Sequence, residues 1–322
     1  MDRVYVMQLV RSYQAGELSQ SEFLQRTARV VGSAAAETLL AAAEPRPAVA
    51  PPMVVITAPE ADAPAIAMPS ATTGKSDANQ PHPARLLPDA ESGLPAILGE
   101  TIRYPGTEGE VLTGYLAQQE SGGRWPGVVV IQEWWGLNDH IKDVVRRFAQ
   151  AGFVGLAPDL YHGLVVSEPD EARKAVMELD LGTAVQEIRQ AIRTLATRDN
   201  VLGPKVGLVG FCMGGRLVLR TSLVEPQVGA AVVFYGSPLK PEEARELKAP
   251  LLGLYGAQDQ GNPVDSVRAM EQALNDAGIE NEFHIYDAPH AFFNDTRDSY
   301  REDAARDAWQ HTLDWLREHV RH

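Results

Sequence analysis

One cysteine in 322 residues is the sharpest shortage in this sequence. Cys212 has no partner within the chain, so there is no intramolecular disulfide and no cysteine-based structural zinc site. The thiol is either core filler or chemistry. Positive charge is also scarce: 29 Lys and Arg against 43 Asp and Glu leave a formal net charge of −14. That balance argues against a nucleic-acid surface and against anionic membranes, because both reward clustered cations. Long apolar runs are missing as well, and none approaches the roughly 18 to 20 residues that a bilayer demands. What is present is 44% hydrophobic residues, enough for a full core.

The chain changes texture twice, and the changes divide it into residues 1–43, 44–95 and 96–322. In Asp2 to Tyr13 the residues Val6, Met7, Val10 and Tyr13 fall at helical spacing, and Gly16 breaks the run. Ser19 and Glu22 have capping-box spacing, with Leu18 and Phe23 placed as a hydrophobic staple, so a second helix starts there. An Ala-rich segment runs from Ser33 to Ala43. Its composition resembles a bacterial export signal, but Glu37 interrupts it and no twin arginines precede it, so the expected location is cytoplasmic. This N-terminal helical segment is a candidate for self-association. Half of the 22 prolines then fall between Glu44 and Pro95, a composition that reads as a linker.

From residue 96 a compact α/β domain is expected. Glu100 to Tyr104 and Glu110 to Ala117 suggest an antiparallel opening pair. Short apolar strands at Val128 to Gln132, Phe153 to Ala157, Lys205 to Gly210, Ala230 to Tyr235, Leu251 to Tyr255 and Glu282 to Tyr286 follow. Helical periods at Asn138 to Ala151, Leu181 to Thr197, Gly214 to Val224, Val264 to Gly278 and Tyr300 to Val320 alternate with them. Such alternation implies a mostly parallel sheet with helices on both faces, whose ligands bind at the carboxyl ends of the strands.

Within that rhythm, Gly210-Phe211-Cys212-Met213-Gly214 is the cysteine form of a nucleophile elbow, a strained strand-to-helix turn flanked by small residues. A nucleophile needs a base and a group that orients the base. Asp259 and His290 each follow a strand on the same sheet edge and supply both. Asp265 and Asp287 are rivals to Asp259, one placed at a helix start and one still in a strand or its turn. Among the other histidines, His140 and His162 sit near strand ends and could line the site. His284 alternates within a strand, and His311, His319 and His322 fall in the closing helix or tail, where solvation is expected. Elbow geometry makes the Met213 backbone N–H one oxyanion donor.

The motifs Gln132-Glu133-Trp134-Trp135-Gly136, Pro158-Asp159-Leu160-Tyr161, Gly210 to Gly215 and Pro289-His290-Ala291-Phe292 resemble the dienelactone hydrolases (carboxymethylenebutenolidases) of the α/β-hydrolase fold, from about Leu98 to the C-terminus. The resemblance implies a Cys212-His290-Asp259 triad, no cofactor and no metal. It also implies a second oxyanion donor at the Trp134 N–H, and a Glu133 that contacts the resting nucleophile and helps to activate it. Like-charge repulsion from such a carboxylate would keep the thiol protonated until an ester arrives. Two arginines bind the substrate carboxylate in the family. Here the first position is Asn294, a departure, and the second corresponds to Arg173 or Lys174. Trp134, Trp135, Phe292 and Phe293 would add an aromatic wall. The expected activity is hydrolysis of a small ester or lactone. A broader carboxylesterase or thioesterase, a catalytically idle scaffold that recruits a partner, and a redox role for the thiol stay open as alternatives.

Overall fold

The computed structural model describes residues 19–31, 35–37, 39–40, 94–107 and 109–320. The helix expected at residues 2–13 and nearly all of the Pro-rich segment lie outside the described residues. The chain divides into two compact units, Met1–Ala63 and Pro64–His322. No described helix is long and apolar enough to cross a membrane.

In the first unit, helix α1 (Gln20–Val31) begins directly after Ser19. The Phe23 N–H donates to the Ser19 carbonyl at 2.9 Å, the first intrahelical bond that an N-cap residue accepts. Phe23 is buried with Leu40, and Leu24 and Leu39 pack against the pair.

The second unit is built on one eight-stranded sheet. Its strands are β1 (Ile97–Pro105), β2 (Val111–Gln119), β3 (Trp125–Ile131), β4 (Val154–Pro158), β5 (Val201–Phe211), β6 (Val228–Phe234), β7 (Leu251–Gly256) and β8 (Asn281–Tyr286), in the order β1-β2-β4-β3-β5-β6-β7-β8. The opening pair is antiparallel and longer than its apolar alternation suggests, running from Ile97 opposite Gln119 to Pro105 opposite Val111. Strands β3 to β8 are mutually parallel.

Helices α2 (Asp139–Gln150) and α8 (Glu302–His319) cover one face. Helices α4 (Leu181–Ala196), α5 (Met213–Ser222) and α7 (Val264–Asp276) cover the other. Side chains alternate across a strand, so Val128 and Val130 join the α2/α8 core with Phe148 and Trp309, whereas Val129 and Ile131 join Ile188, Leu217 and Leu274 in the opposite layer. Burial on both faces explains why these strands read as unbroken apolar runs rather than alternating ones.

Two helices escape sequence periodicity. The segment after Tyr161 contains α3 (Pro169–Glu178), which buries only Ala172 and Ala175 and so shows almost no apolar stripe. Its start signals are Pro169 in the first turn and the acids Asp170 and Glu171. Helix α6 (Pro241–Ala244) is a single turn. Strand β5 also begins four residues earlier than expected. Val201 and Leu202 pair with Trp125 and Pro126 before a register shift, a pairing hidden by Gly203-Pro204.

Among the described residues, four that are not glycine have positive φ: His162 (51°), Cys212 (54°), Tyr235 (40°) and Ala291 (59°). They follow β4, β5, β6 and β8 in turn, all on the carboxyl edge of the sheet.

Candidate active site

Cys212 stands between β5 and α5 with φ 54° and ψ −116°, a conformation that L-residues avoid. Its N–H donates to the Phe234 carbonyl at 3.0 Å, and its carbonyl accepts from the Arg216 N–H at 3.2 Å, the first turn of α5. The flanking glycines are sterically required. A Cβ on Gly210 would sit 2.3 Å from the Gly214 carbonyl oxygen, and one on Gly214 would sit 2.5 Å from the carbonyl oxygens of Ile131 and Gln132 on the neighbouring strand. The elbow thus packs backbone on backbone, and Phe211 beneath it stacks between Phe234 and Phe293 at 4.6 and 5.2 Å.

His290 and Asp259 meet at this edge. The His290 Nδ1 lies 2.6 Å from Asp259 Oδ2, so Nδ1–H donates to the carboxylate. Its Nε2 is buried and meets no group at full hydrogen-bond geometry among the described residues, and Cys212 is the side chain that bears on it from that side. Buried polar atoms are rarely left this way except where chemistry needs them. Burial favours the neutral ring, but the bond and charge of Asp259, together with Cys212 in its thiolate form, outweigh it and raise His290 above its ordinary 6.5. Burial likewise opposes ionisation of Asp259. Donors from His290, from Asn262 and from the Gly261 N–H overcome it and hold the carboxyl below its usual range. Asn262 is a positioning residue that sequence reading missed. Its Nδ2 donates to Asp259 Oδ2 at 2.9 Å and to the Tyr235 carbonyl at 3.0 Å, tying the acid to the turn after β6.

Glu133 is buried, 2% exposed, and its carboxylate is engaged from two sides. Asn294 Nδ2 donates to Oε2 at 2.6 Å, and the Tyr235 hydroxyl donates to Oε1 at 3.1 Å. Tyr235 is itself fully buried. Burial first, then the neighbouring Glu133 and Cys212, push its phenol well above the ordinary range, so both residues lie beside one hydroxyl. Asn294 is completely buried, its amide nitrogen donates to Glu133, and its Oδ1 accepts from Thr296, so it reaches the site through Glu133. Phe292 is also completely buried, packed against Tyr235 and Tyr286 at 5.5 and 5.2 Å, so it forms floor rather than wall.

Arg173 lies on α3 and donates to Asp170 at 2.5 Å, while Lys174 faces Glu178 on the same helix. The cation beside the site is a different one, Arg297. Its guanidinium lies 3.8 Å from the centre of the Trp135 ring, and the Glu133 charge partly offsets the downward pull of burial on it. Trp135 is 7% exposed, packed with Val166 and Ala172, and meets Trp134 edge-on at 4.9 Å. Tyr161 closes another side, donating to the Met213 sulfur at 3.4 Å. His140 and His162 are engaged elsewhere, with Asp295 at 3.3 Å and Glu187 at 3.2 Å.

The loop that carries Asn294 is anchored by a buried ion pair. Arg147 on α2, 1% exposed, donates to Asp295 Oδ2 at 2.5 Å and through Nε to Asp143 at 2.7 Å. Removing one partner strands a charge, so Arg147→Met is expected to lose about 3–5 kcal/mol in urea melts. Burial opposes ionisation of Asp295, but His140 and Arg147 overcome it and hold the carboxyl below its ordinary 3.8. Its stabilisation is complete above that value and fades as pH falls toward the lower folded value. The gap between wild type and Arg147→Met should therefore narrow progressively in melts as pH falls below 3.8.

The strand order, parallel crossovers and carboxyl-edge turns are those of an α/β-hydrolase. The profile of the dienelactone hydrolase family matches residues 112–320, and the chain belongs to that family. A Methylorubrum extorquens protein provisionally named a carboxymethylenebutenolidase is 35% identical over 268 residues, 78% of this chain and 90% of that one. The crystal structure of a provisionally named dienelactone hydrolase from Klebsiella pneumoniae superposes with a TM-score of 0.63 at 33% identity, covering 69% of this chain and 99% of that one. A dienelactone hydrolase-like promiscuous phosphotriesterase from metagenomic libraries gives 0.63 at 25% identity, covering 70% and 99%. The protein is accordingly a hydrolase.

Proposed function

We propose that this protein hydrolyses carboxylic esters or lactones through Cys212, with His290 as base, Asp259 as its orienting acid and a thioester acyl-enzyme as intermediate. The observation that carries this is the 2.6 Å His290–Asp259 bond, which leaves a buried Nε2 beside Cys212 at the edge where the elbow turns. The thiolate attacks the acyl carbon. The resulting oxyanion accepts from the backbone N–H groups of Met213 and Trp134, each such donor being worth about 2.7–4 kcal/mol. Collapse breaks the acyl–oxygen bond, and His290 gives its proton to the leaving alkoxide. Water, deprotonated by His290, then releases the acid and restores the thiol. For a lactone the alcohol stays tethered, and one ring-opened acid leaves.

Glu133 would check the thiolate by like-charge repulsion until substrate enters, with Tyr235 and Asn294 holding it in place. Arg297 supplies the site's preference for an anionic acyl group, because its planar fork is pre-set on Trp135. A panel of lactones and aryl esters tests the whole reading. Turnover should require Cys212, and Arg297→Gln should raise KM roughly 10- to 100-fold for carboxylate-bearing lactones, the equivalent of about 1.5–3 kcal/mol for a charge-assisted bond. Neutral esters should be unaffected. Equal losses on both classes would remove Arg297 from substrate recognition.

A further inference from the structure

Away from the elbow, strand β8 lies at the open edge of the sheet with α8 packed beside it. Glu282, His284 and Tyr286 alternate to one face of β8, while Asp307 and His311 stand one turn apart on α8. These five side chains converge. His311 Nδ1 lies 3.2 Å from Glu282 Oε1, His284 Nε2 bonds to the same oxygen, and the two imidazole rings are 3.7 Å apart. The donor atoms of Glu282, His284 and His311 all lie within 4.8 Å of one another. A carboxylate stands behind the ligands too. Asp307 Oδ2 is 3.4 Å from His311 Nε2 and accepts from the Tyr286 hydroxyl at 2.9 Å.

We infer that Glu282, His284 and His311 bind a divalent transition-metal ion, Zn²⁺ in preference to Mg²⁺ or Ca²⁺. Two imidazoles facing one carboxylate oxygen repel each other when both are protonated. When neutral, each turns an N–H to that oxygen, and a metal ion can replace both protons once the rings, now 3.7 Å apart, spread. One Zn²⁺ satisfies all three donors at once. With bonds of about 2.0–2.2 Å, tetrahedral zinc sets its ligand atoms about 3.3 Å apart, close to the His311–Glu282 spacing already present. The ion displaces the His284–Glu282 hydrogen bond, and a water completes the tetrahedron. Asp307, bonded to the far nitrogen of His311, is the outer carboxylate that fixes the ring's tautomer and strengthens it as a ligand. Imidazole donors select zinc, nickel or copper over the oxygen-seeking ions. Strand and helix both hold their ligands on regular elements, and the sheet edge leaves the ion an open approach.

The test is titration of the full chain, purified without a histidine tag and carrying Cys212→Ser so that the lone thiol cannot compete, with Zn²⁺ against a chromophoric chelator. One equivalent is expected to bind. His284→Gln and His311→Gln should each weaken it at least about 100-fold and Asp307→Asn about 10- to 100-fold, while Mg²⁺ fails to displace it. In case a glutamine variant folds poorly, NMR of the Cys212→Ser protein supplies a second readout, since Zn²⁺ should shift the ring signals of His284 and His311 and leave those of His290 in place. Absence of stoichiometric binding, or binding indifferent to His284 and His311, overturns the inference.

Discussion

Alanine at Cys212 is expected to remove turnover of every ester and lactone in the panel, lowering kcat/KM by roughly 10⁴- to 10⁶-fold. The size follows from what remains. In the proposed mechanism no acyl-enzyme forms without the sulfur, and His290 is left to activate water in a site shaped around a nucleophile at the elbow. The proposed backbone donors should survive, because the turn that carries them is packed backbone on backbone at Gly210 and Gly214. Residual catalysis over water therefore persists, but no covalent intermediate accumulates. Mass spectrometry of a quenched slow substrate should show one acyl group on wild type and none on the variant. A Cys212→Ala protein that keeps more than about a tenth of wild-type turnover would refute the mechanism, since no nucleophile removal of this kind is so mild.

Asparagine at Asp259 carries the second large effect, a fall in kcat of about 10⁴-fold. The carboxylate accepts the His290 Nδ1–H, and in the proposed mechanism this presents Nε2 as the base. An amide in its place can turn its NH₂ toward Nδ1, which moves the ring proton to Nε2, the wrong tautomer for taking a proton from a thiol. The substitution also removes one of the influences that raise the His290 pKa. A histidine with a raised folded pKa contributes stability that is complete below its unfolded value of 6.5 and lost as pH rises through the folded one. Asp259→Asn should thus be least stable relative to wild type on the acid side of neutrality, with the gap closing in alkaline melts. A gap that widens with pH would contradict the assigned direction.

Much of this architecture was legible because local rules and tertiary structure agree. Strands β3 to β8 read as short apolar runs because both faces are covered, and the elbow declares itself because Gly210 and Gly214 admit no side chain. What stayed hidden depends on partners far apart in sequence. Asn294 stands where the resemblance puts a substrate-binding arginine, and only folding brings it onto Glu133, 161 residues earlier. Arg297 carries no motif, since cation–π placement over Trp135 depends on how the loop after Phe293 is folded, and that loop is anchored by Arg147. His311 was expected to be solvated because nothing in its own helix says that β8 presents Glu282 and His284 to it. Helix α3 was missed because a helix that buries two alanines leaves no stripe to read.

The four left-handed residues behind the strands have an implication for how this protein can change. Each non-glycine residue held at positive φ costs on the order of 1–3 kcal/mol, so His162, Cys212, Tyr235 and Ala291 together store strain comparable with a domain's whole margin of stability. Glycine would relax any of them. A population of variants screened for heat resistance alone should drift toward glycine at this edge and lose hydrolysis on the way, whereas one screened for turnover should find its stabilising changes elsewhere. The carboxyl edge is in that sense the part of the sequence with the least freedom to improve.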